Sequence, residues 1–482
     1  MQYTGSEPAC IEPLGGAASN RRYYRLSAGK DGLKAIGVIG ENAKENHAFL
    51  SLARHMRAQG LNVPAIYAVS EDEMRYVQED LGSTSLYDLI VRQPEAETTH
   101  KALRQVMQAL PRLQFLTHQG FDYARDAFRE PRFCLTTVRW DLYYFKYCFV
   151  KLTGYQMDEI KLEEDFEQLQ QALLDHSDGT CPWGFLYRDF QSRNVMMSDG
   201  QPWFIDFQGG YEGPVYYDVA SFLWQTRANY SPAQREELVA AYVEALREFC
   251  HVDLQEFWQH LYPFVYFRLL QTLGTYGYRG LFEHKTMFQT PIRQALRALL
   301  DLTPHMQQLC PYLCQLLEEV SQMERFVAQD ATDGRLTVRV TSFSYKRGIP
   351  EDYSGNGGGF VFDCRAPLNP GRFAYYKKLT GLDIEVIDFL EGRRDEEGQP
   401  KEAPAEGTSM QHFVEHVYAL VDPAVQTYLE RGFTSLTVNC GCTGGQHRSV
   451  YCAQHLADHL AARFPSAQII LTHREQQIKK IY

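Results

Sequence analysis

The chain has 482 residues, of which 44% are hydrophobic and 22% charged, with a formal net charge of −12. That length exceeds one ordinary core and predicts two or three soluble globular domains. The acidic balance argues against a general nucleic-acid or membrane-surface binder, because nothing offsets phosphate repulsion over most of the surface, and leaves room only for a local basic patch. The 11 cysteines are scattered and form no recurrent CxxC pair, so no zinc knuckle is expected. Met1 is followed by a polar stretch and no apolar run nears ~20 residues, which predicts a cytoplasmic protein with reduced thiols and no signal peptide.

From the N-terminus, residues 10–40 alternate glycine-rich turns with β-type runs such as Arg22–Leu26 and Ala35–Ile39. Apolar residues at helical spacing (Ala48, Phe49, Leu52, Ala53, Met56) predict a helix over Ala43–Gln59, stopped by Gly60. Strands are expected over Val63–Val69 and Met74–Gln78, leading into Glu79-Asp80-Leu81-Gly82. Strand, strand, helix, strand, strand describes a small β-rich lobe over 1–82. Residues 100–180 and 215–325 read as helical and rich in aromatics, so 83–327 forms a larger helical lobe.

The polar, turn-rich stretch Ala328–Arg335 marks a domain boundary. Beyond it, strands at Leu336–Phe343, Phe360–Cys364 and Ser435–Cys440 alternate with helices at Phe413–Arg431 and Ser449–Phe464. Residues 336–482 are therefore a small α/β domain, with Glu391–Ser409 as a solvated loop inside it. The Gly355–Gly359 run precedes a strand, so it presents no helix N-terminus to phosphate, and no GxxxxGK[ST] occurs.

The densest chemistry lies in Tyr187–Gln208, YRDFQSRNVMMSDGQPWFIDFQ. Asp189 follows Arg188, Asn194 comes five positions later, and Asp206 opens an Asp-Phe-Gln triplet behind Trp203-Phe204-Ile205. Phosphoryl transfer of the protein-kinase type needs three such groups. One loop carboxylate handles the substrate hydroxyl proton, an amide oxygen holds magnesium, and a strand-end carboxylate bridges metal and nucleotide phosphates. Oxygen donors suit magnesium, a hard cation. The bland alternative is a polar loop and hairpin using Asp and Asn as turn residues.

Over its first ~325 residues the chain resembles the aminoglycoside phosphotransferase/choline kinase superfamily. Within it, the nearest likeness is to the anomeric kinases for N-acetylmuramate and N-acetylglucosamine of cell-wall recycling. The carriers are Ser19–Arg25, Asn62-Val63-Pro64, Glu79–Gly82, Arg188–Asn194, and Asp206-Phe207-Gln208 followed by Tyr211, Gly213-Pro214 and Tyr217-Asp218. The resemblance implies an α+β bilobal protein-kinase-like fold, with ATP and Mg2+ as cofactors. It makes Asp189 the catalytic base and Asn194 and Asp206 the metal ligands. The backbone of Glu79–Leu81 would meet the adenine, and the turn Gly15–Arg22, with Gly16, Ser19, Asn20 and Arg22, would cover the phosphates. Arg193, Gln208 and Asp141 are candidate substrate contacts; an aromatic stripe such as the one around Asp141 is usually plain core, and Arg139–Asp141 equally fits a surface pair. Asp218 reads as a brace rather than a ligand.

Two departures stand out. Tyr187 occupies the place of the usual histidine before Arg-Asp, and the strand Ala35–Ile39 has no interior lysine, with Lys34 out of register. The amino-sugar branch also lacks that lysine. Glu45, which would face it, either serves the phosphate and metal site or is a plain helix charge.

Residues 336–482 resemble the C-terminal domain of RapZ, the RNase adapter that senses glucosamine-6-phosphate. The matches are Phe343–Pro350, Val361–Arg365, Asn369-Pro370, Leu379–Asp383 and Gly441–Ser449. Independently of that likeness, a strand running through a glycine-containing loop into a helix at Ser449 makes an anion cradle of backbone N–H groups. Its members are Cys442, Thr443, Gly444, Gly445, His447, Arg448 and Ser449, with Lys346, Asp363 and Arg365 as further contacts. A structural turn is the alternative. Where the RapZ pattern has a histidine after Asn-Pro, this chain has Gly371-Arg372. Cys442 and Arg448 also have the spacing of cysteine-dependent phosphatases, without the usual preceding histidine. The segment His473-Arg474…Lys479-Lys480 is mildly basic, as in the adapter's RNA-binding region, or simply solvated.

The expected function is an ATP-dependent small-molecule kinase acting on an amino sugar, with a C-terminal domain binding a phosphorylated amino sugar or nucleotide sugar. A sugar-1-phosphate nucleotidyltransferase acting next is the implied partner; RNA is a weaker one, and no membrane is involved. The competing readings are a non-enzymatic sensor or adapter with an inactive kinase lobe, and a bifunctional kinase/phosphatase using Cys442.

Overall fold

The computed structural model describes residues 8–15, 21–28, 34–175, 182–225, 228, 230–323, 325–327, 334–350, 352, 359–403 and 407–482. The chain divides into two compact units, Met1–Phe326 and Val327–Tyr482. Each has its own hydrophobic core.

In the first unit, β1 (Pro8–Leu14), β2 (Arg22–Ala28), β3 (Lys34–Ile39), β4 (Ile66–Val69) and β5 (Arg75–Glu79) form an antiparallel sheet in the order β1-β2-β3-β5-β4. The helix Ala43–Ala58 buries Ala48, Phe49, Leu52, Ala53 and Met56, the residues whose spacing predicts it. Its start is fixed locally: Asn42 caps it by accepting from the Glu45 N–H at 3.2 Å, which sets Glu45 in the first turn. Gly40 admits this entry, since a Cβ there would lie 2.2 Å from Asn46 Oδ1.

The larger lobe is helical around Leu254–Tyr276, which buries Phe257, Leu261, Phe264, Tyr266, Phe267 and Leu270. Inserted in it are β6 (Trp183–Leu186), a 3-10 turn at Ser192–Asn194, the hairpin β7 (Val195–Ser198)–β8 (Gln201–Phe204), and β9 (Tyr211–Pro214), which pairs with β6. The hairpin turns on Asp199-Gly200, both at positive φ (51° and 71°), the geometry that matches strand twist in two-residue loops.

The second unit is a mixed sheet ordered β11-β12-β10-β13-β14, with β10 (Thr337–Ser344), β11 (Phe360–Asp363), β12 (Ser435–Cys442), β13 (Gln468–His473) and β14 (Ile478–Ile481). All pairings are parallel except β13 with β14. The long helix begins at Ser409, earlier than apolar spacing indicates, because Thr408 and Gln411 form a reciprocal capping box. The basic C-terminal segment is sheet rather than tail: Ile469, Leu471 and His473 alternate inward along β13.

Candidate active site and anion loop

The loop after β6 carries Asp189, whose carboxylate is exposed and lies 3.8 Å from Arg268 Nη2. Asn194 is buried and donates through Nδ2 to the Asp189 carbonyl at 2.8 Å, leaving its Oδ1 as the amide's acceptor. Arg188 and Asp206 both adopt left-handed backbone (φ 76° and 67°), a conformation rare for residues with a side chain. Asp218 holds the first of these. Fully buried, it accepts from the Tyr187 N–H (2.8 Å), the Arg188 N–H (2.9 Å) and Gln114 Nε2 (3.4 Å), and burial pushes its carboxyl up to about 7. Tyr187, buried as well, donates its hydroxyl to the Ile205 carbonyl and so ties the two strained loops together. Phe207 stacks on Phe49 at 5.0 Å, anchoring the Asp-Phe-Gln segment to the helix that bears Glu45.

A buried arginine lies beside the helix that bears Glu45. Arg21, 4% exposed, ion-pairs with Glu45 at 3.3 Å and also donates to its carbonyl. Gln208 continues the chain, donating to Glu45 Oε1 at 3.3 Å and Asp206 Oδ1 at 2.9 Å. Glu45 thus pairs with both Arg21 and Gln208 rather than standing alone on the helix. Arg22, the residue named from sequence, opens β2 and is exposed, whereas Arg21 just before the strand is buried. Lys34 is likewise exposed. Gly16, Ser19 and Asn20 lie outside the described residues.

Asp206 is open to solvent yet set in a crowded cleft. Desolvation there pushes its carboxyl up, Gln208 and Arg21 pull it down, and Asp189 and Glu45 raise it further. Glu45 pairs with Arg21 and Asp189 faces Arg268, while Asp206 has no arginine of its own among the described residues; the Asp206 and Asp189 carboxylates with the Asn194 oxygen are a donor set that fits a divalent cation of magnesium type.

In the helical lobe, Asp141 accepts from Gln271 Nε2 at 2.7 Å, and Gln271 Oε1 accepts from Arg268 and from the Tyr217 hydroxyl at 2.9 Å. Asp141 is therefore linked through Gln271 and Arg268 to Asp189. Its apolar surroundings raise its carboxyl, against the pull of Arg188, Gln271 and Arg268. Sequence reasoning missed Arg268 and Gln271, which sit on an otherwise core-like helix. Arg193 is exposed on the 3-10 turn and joins none of these contacts. At the hinge, the Glu79 side chain turns back to the Ala65 N–H (3.0 Å) and Leu81 is buried.

In the second unit, β12 runs through Cys442–Ser449 into the helix Arg448–Arg463. Gly445 has φ 65°, and a Cβ there would fall 2.9 Å from the Ser344 N–H nitrogen. His447 is buried, its Nε2 2.9 Å from the Tyr376 carbonyl, and serves to anchor the loop. Arg448 is buried; its Nη1 donates to the carbonyls of Arg365 (2.6 Å) and Pro367 (2.8 Å), while Nε has no partner among the described residues. Cys442 and Ser449 are buried against each other, with Sγ and Oγ 3.1 Å apart. Thr443 and Gly444 form the exposed lip. Asp363 and Arg365 neutralise each other through a two-pronged pair, and Lys346 is exposed on the turn after β10.

No helix among the described residues is long and apolar enough to cross a membrane. A 149-residue stretch is 36% identical to a nucleotide-binding protein of Nitrosomonas eutropha, covering 31% of this chain and 44% of that protein. The chain thus spans under half the length of the curated relatives it matches. Among solved structures, choline kinase LicA from Streptococcus pneumoniae aligns at 12% identity and a TM-score of 0.41, over 61% of this chain and 94% of that one. A putative aminoglycoside phosphotransferase from Ralstonia eutropha aligns at 13% and 0.42, over 64% and 94%. A RapZ C-terminal domain is matched over residues 336–477. The phosphotransferase enzyme family is matched over residues 11–251, half of the sequence, and the chain belongs to that family.

Proposed function

We propose that the protein is an ATP- and magnesium-dependent kinase that phosphorylates the anomeric hydroxyl of an N-acetylated amino sugar. The observation that carries this reading is the convergence of Asp189, Asn194 and Asp206 on two braced loops, beside the Arg21–Glu45–Gln208 chain. Asp189, exposed and close to Arg268, accepts the acceptor's hydroxyl proton. Asn194 Oδ1 and Asp206 hold the metal, which when bound screens the nucleotide's phosphate charge. Arg21 supplies the cation that the strand Ala35–Ile39 lacks, and Glu45 fixes its direction. Asp141 and Gln271 offer an acceptor and an amide to sugar hydroxyls.

The C-terminal domain, in this reading, binds a phosphorylated amino sugar or nucleotide sugar at Cys442–Ser449, where loop amides and Arg448 meet the anion. Incubating the protein with ATP, magnesium and a panel of amino sugars, then locating the new phosphate by NMR, tests the kinase reading. Formation of a sugar 1-phosphate is expected; ATP left intact with every sugar sinks it.

A further inference from the structure

We propose that Cys442 is a nucleophile, and that the loop Cys442–Ser449 hydrolyses phosphate monoesters through a cysteinyl-phosphate. This rests on the anion-binding reading of the loop and is independent of the kinase reading.

Three observations converge. First, the sulfur is ringed by donors: the Ser449 hydroxyl at 3.1 Å and the backbone N–H groups of Ser449, Gly445 and Gln446. Burial pushes the thiol up, but these donors outweigh it and leave Cys442 below the ordinary thiol range, which favours thiolate, the nucleophilic form. Cys364, Cys440 and Cys452, buried nearby and hydrogen-bonded to one another, shift the other way. Second, the buried Arg448 guanidinium is steered by two carbonyls at Nη1 while Nε has no partner among the described residues. That leaves the edge with which arginine grips two phosphate oxygens. Third, the 16-residue helix Arg448–Arg463 starts at this loop with no side-chain cap, so first-turn amides and the helix dipole point at the same place.

The chemistry balances without a redox partner. Cys442 Sγ attacks phosphorus, forming S–P as the ester P–O bond breaks; the leaving oxygen takes its proton from water. A second water then attacks phosphorus, the S–P pair returns to sulfur, and inorganic phosphate leaves. Asp363, in register with Gly441, is clasped by Arg365, and Glu475, which lies against Gly445 and accepts from the Ser344 N–H, is paired with Arg347, so leaving-group protonation is left to solvent. Aryl phosphates, whose leaving groups need no protonation, are therefore the fitting probes.

The test uses the full chain without ATP and with EDTA. p-Nitrophenyl phosphate hydrolysis, orthovanadate inhibition and an acid-trapped phosphate on the Cys442 peptide are expected. Cys442→Ser brings turnover to background. Ser449→Ala keeps the cysteine and moves the pH of half-maximal Cys442 alkylation, read by mass spectrometry, upward. Tungstate binding measured by calorimetry separates the failures: binding without turnover or trapped phosphate overturns the nucleophile alone, whereas absence of both overturns the anion reading with it.

Discussion

The two sites are built in opposite ways. In the first unit, Arg21, Glu45, Asp141, Asp189, Asp206 and Arg268 come from distant segments and meet as side chains on separate elements. In the second, the site is one continuous run, Cys442–Ser449, whose donors are largely backbone N–H groups at a strand-to-helix turn. An assembled site is sensitive to single charges; a backbone site is sensitive to whatever keeps its turn closed.

The sharpest break in the first site is at its base and metal ligand. Asp189→Asn is expected to slow sugar phosphorylation by roughly 10²–10⁴-fold, with thermal stability near wild type because the carboxylate is exposed. Asp206→Ala removes turnover altogether. Retained ATP consumption in both variants sinks the kinase reading.

Arg21 comes next. Arg21→Ala is expected to lower kcat by roughly 10²-fold, the cost of one preorganised charge at a reacting phosphate. Arg21→Lys, which keeps the charge and loses the fork to Glu45, restores part of it; Arg22→Ala has little effect, since Arg22 is exposed. Equal losses at Arg21 and Arg22 contradict the placement of the cation.

That pair of arginines shows where sequence is readable and where it is not. Asp189, Asn194 and Asp206 stand within one strand–loop–hairpin, so their spacing alone brings them to mind. Arg21 precedes β2 and Arg22 opens it, and only the folded entry into that strand shows that the first is buried and the second exposed. Arg268 and Gln271 lie on a helix whose apolar residues dominate its pattern, so their polar contacts to Asp189 and Asp141 leave no periodic signal. Tyr187 is legible as a replacement for histidine, but its bridge to Ile205 appears only in three dimensions. Asp363 and Arg365 read as two ligands from sequence; two residues apart at a strand end, they pair with each other first. The Cys442–Ser449 loop is more legible because consecutive residues specify it.

The backbone site breaks at a glycine. Gly445→Ala puts a methyl at φ 65° and against the Ser344 nitrogen and Glu475 Cγ (2.9 and 2.4 Å), so the loop must open. A loss of about 1–3 kcal/mol in stability and of tungstate binding is expected by denaturant titration and calorimetry. Gly444→Ala, with nothing within 4 Å, is the control expected to keep both.

Asp218 and His473, one in each unit, respond to pH in opposite senses. Asp218, raised to about 7 by burial, binds a proton in the folded state that the unfolded chain has lost, so its contribution to stability is complete below pH ~4 and is lost as pH rises through 7. His473 is 0% exposed, its Nδ1 2.9 Å from Ser342 Oγ, and burial lowers it to about 4. The unfolded chain takes up that proton near pH ~6.5, so the contribution of His473 is complete above that value and is lost as pH falls toward 4, by an amount on the order of 3 kcal/mol. Calorimetry of His473→Gln between pH 7 and 4.5 is therefore expected to show a shallower acid loss than wild type in the transition of the C-terminal unit. An unchanged slope means that His473 carries its proton in the folded sheet, and that the acid sensitivity of this unit lies elsewhere.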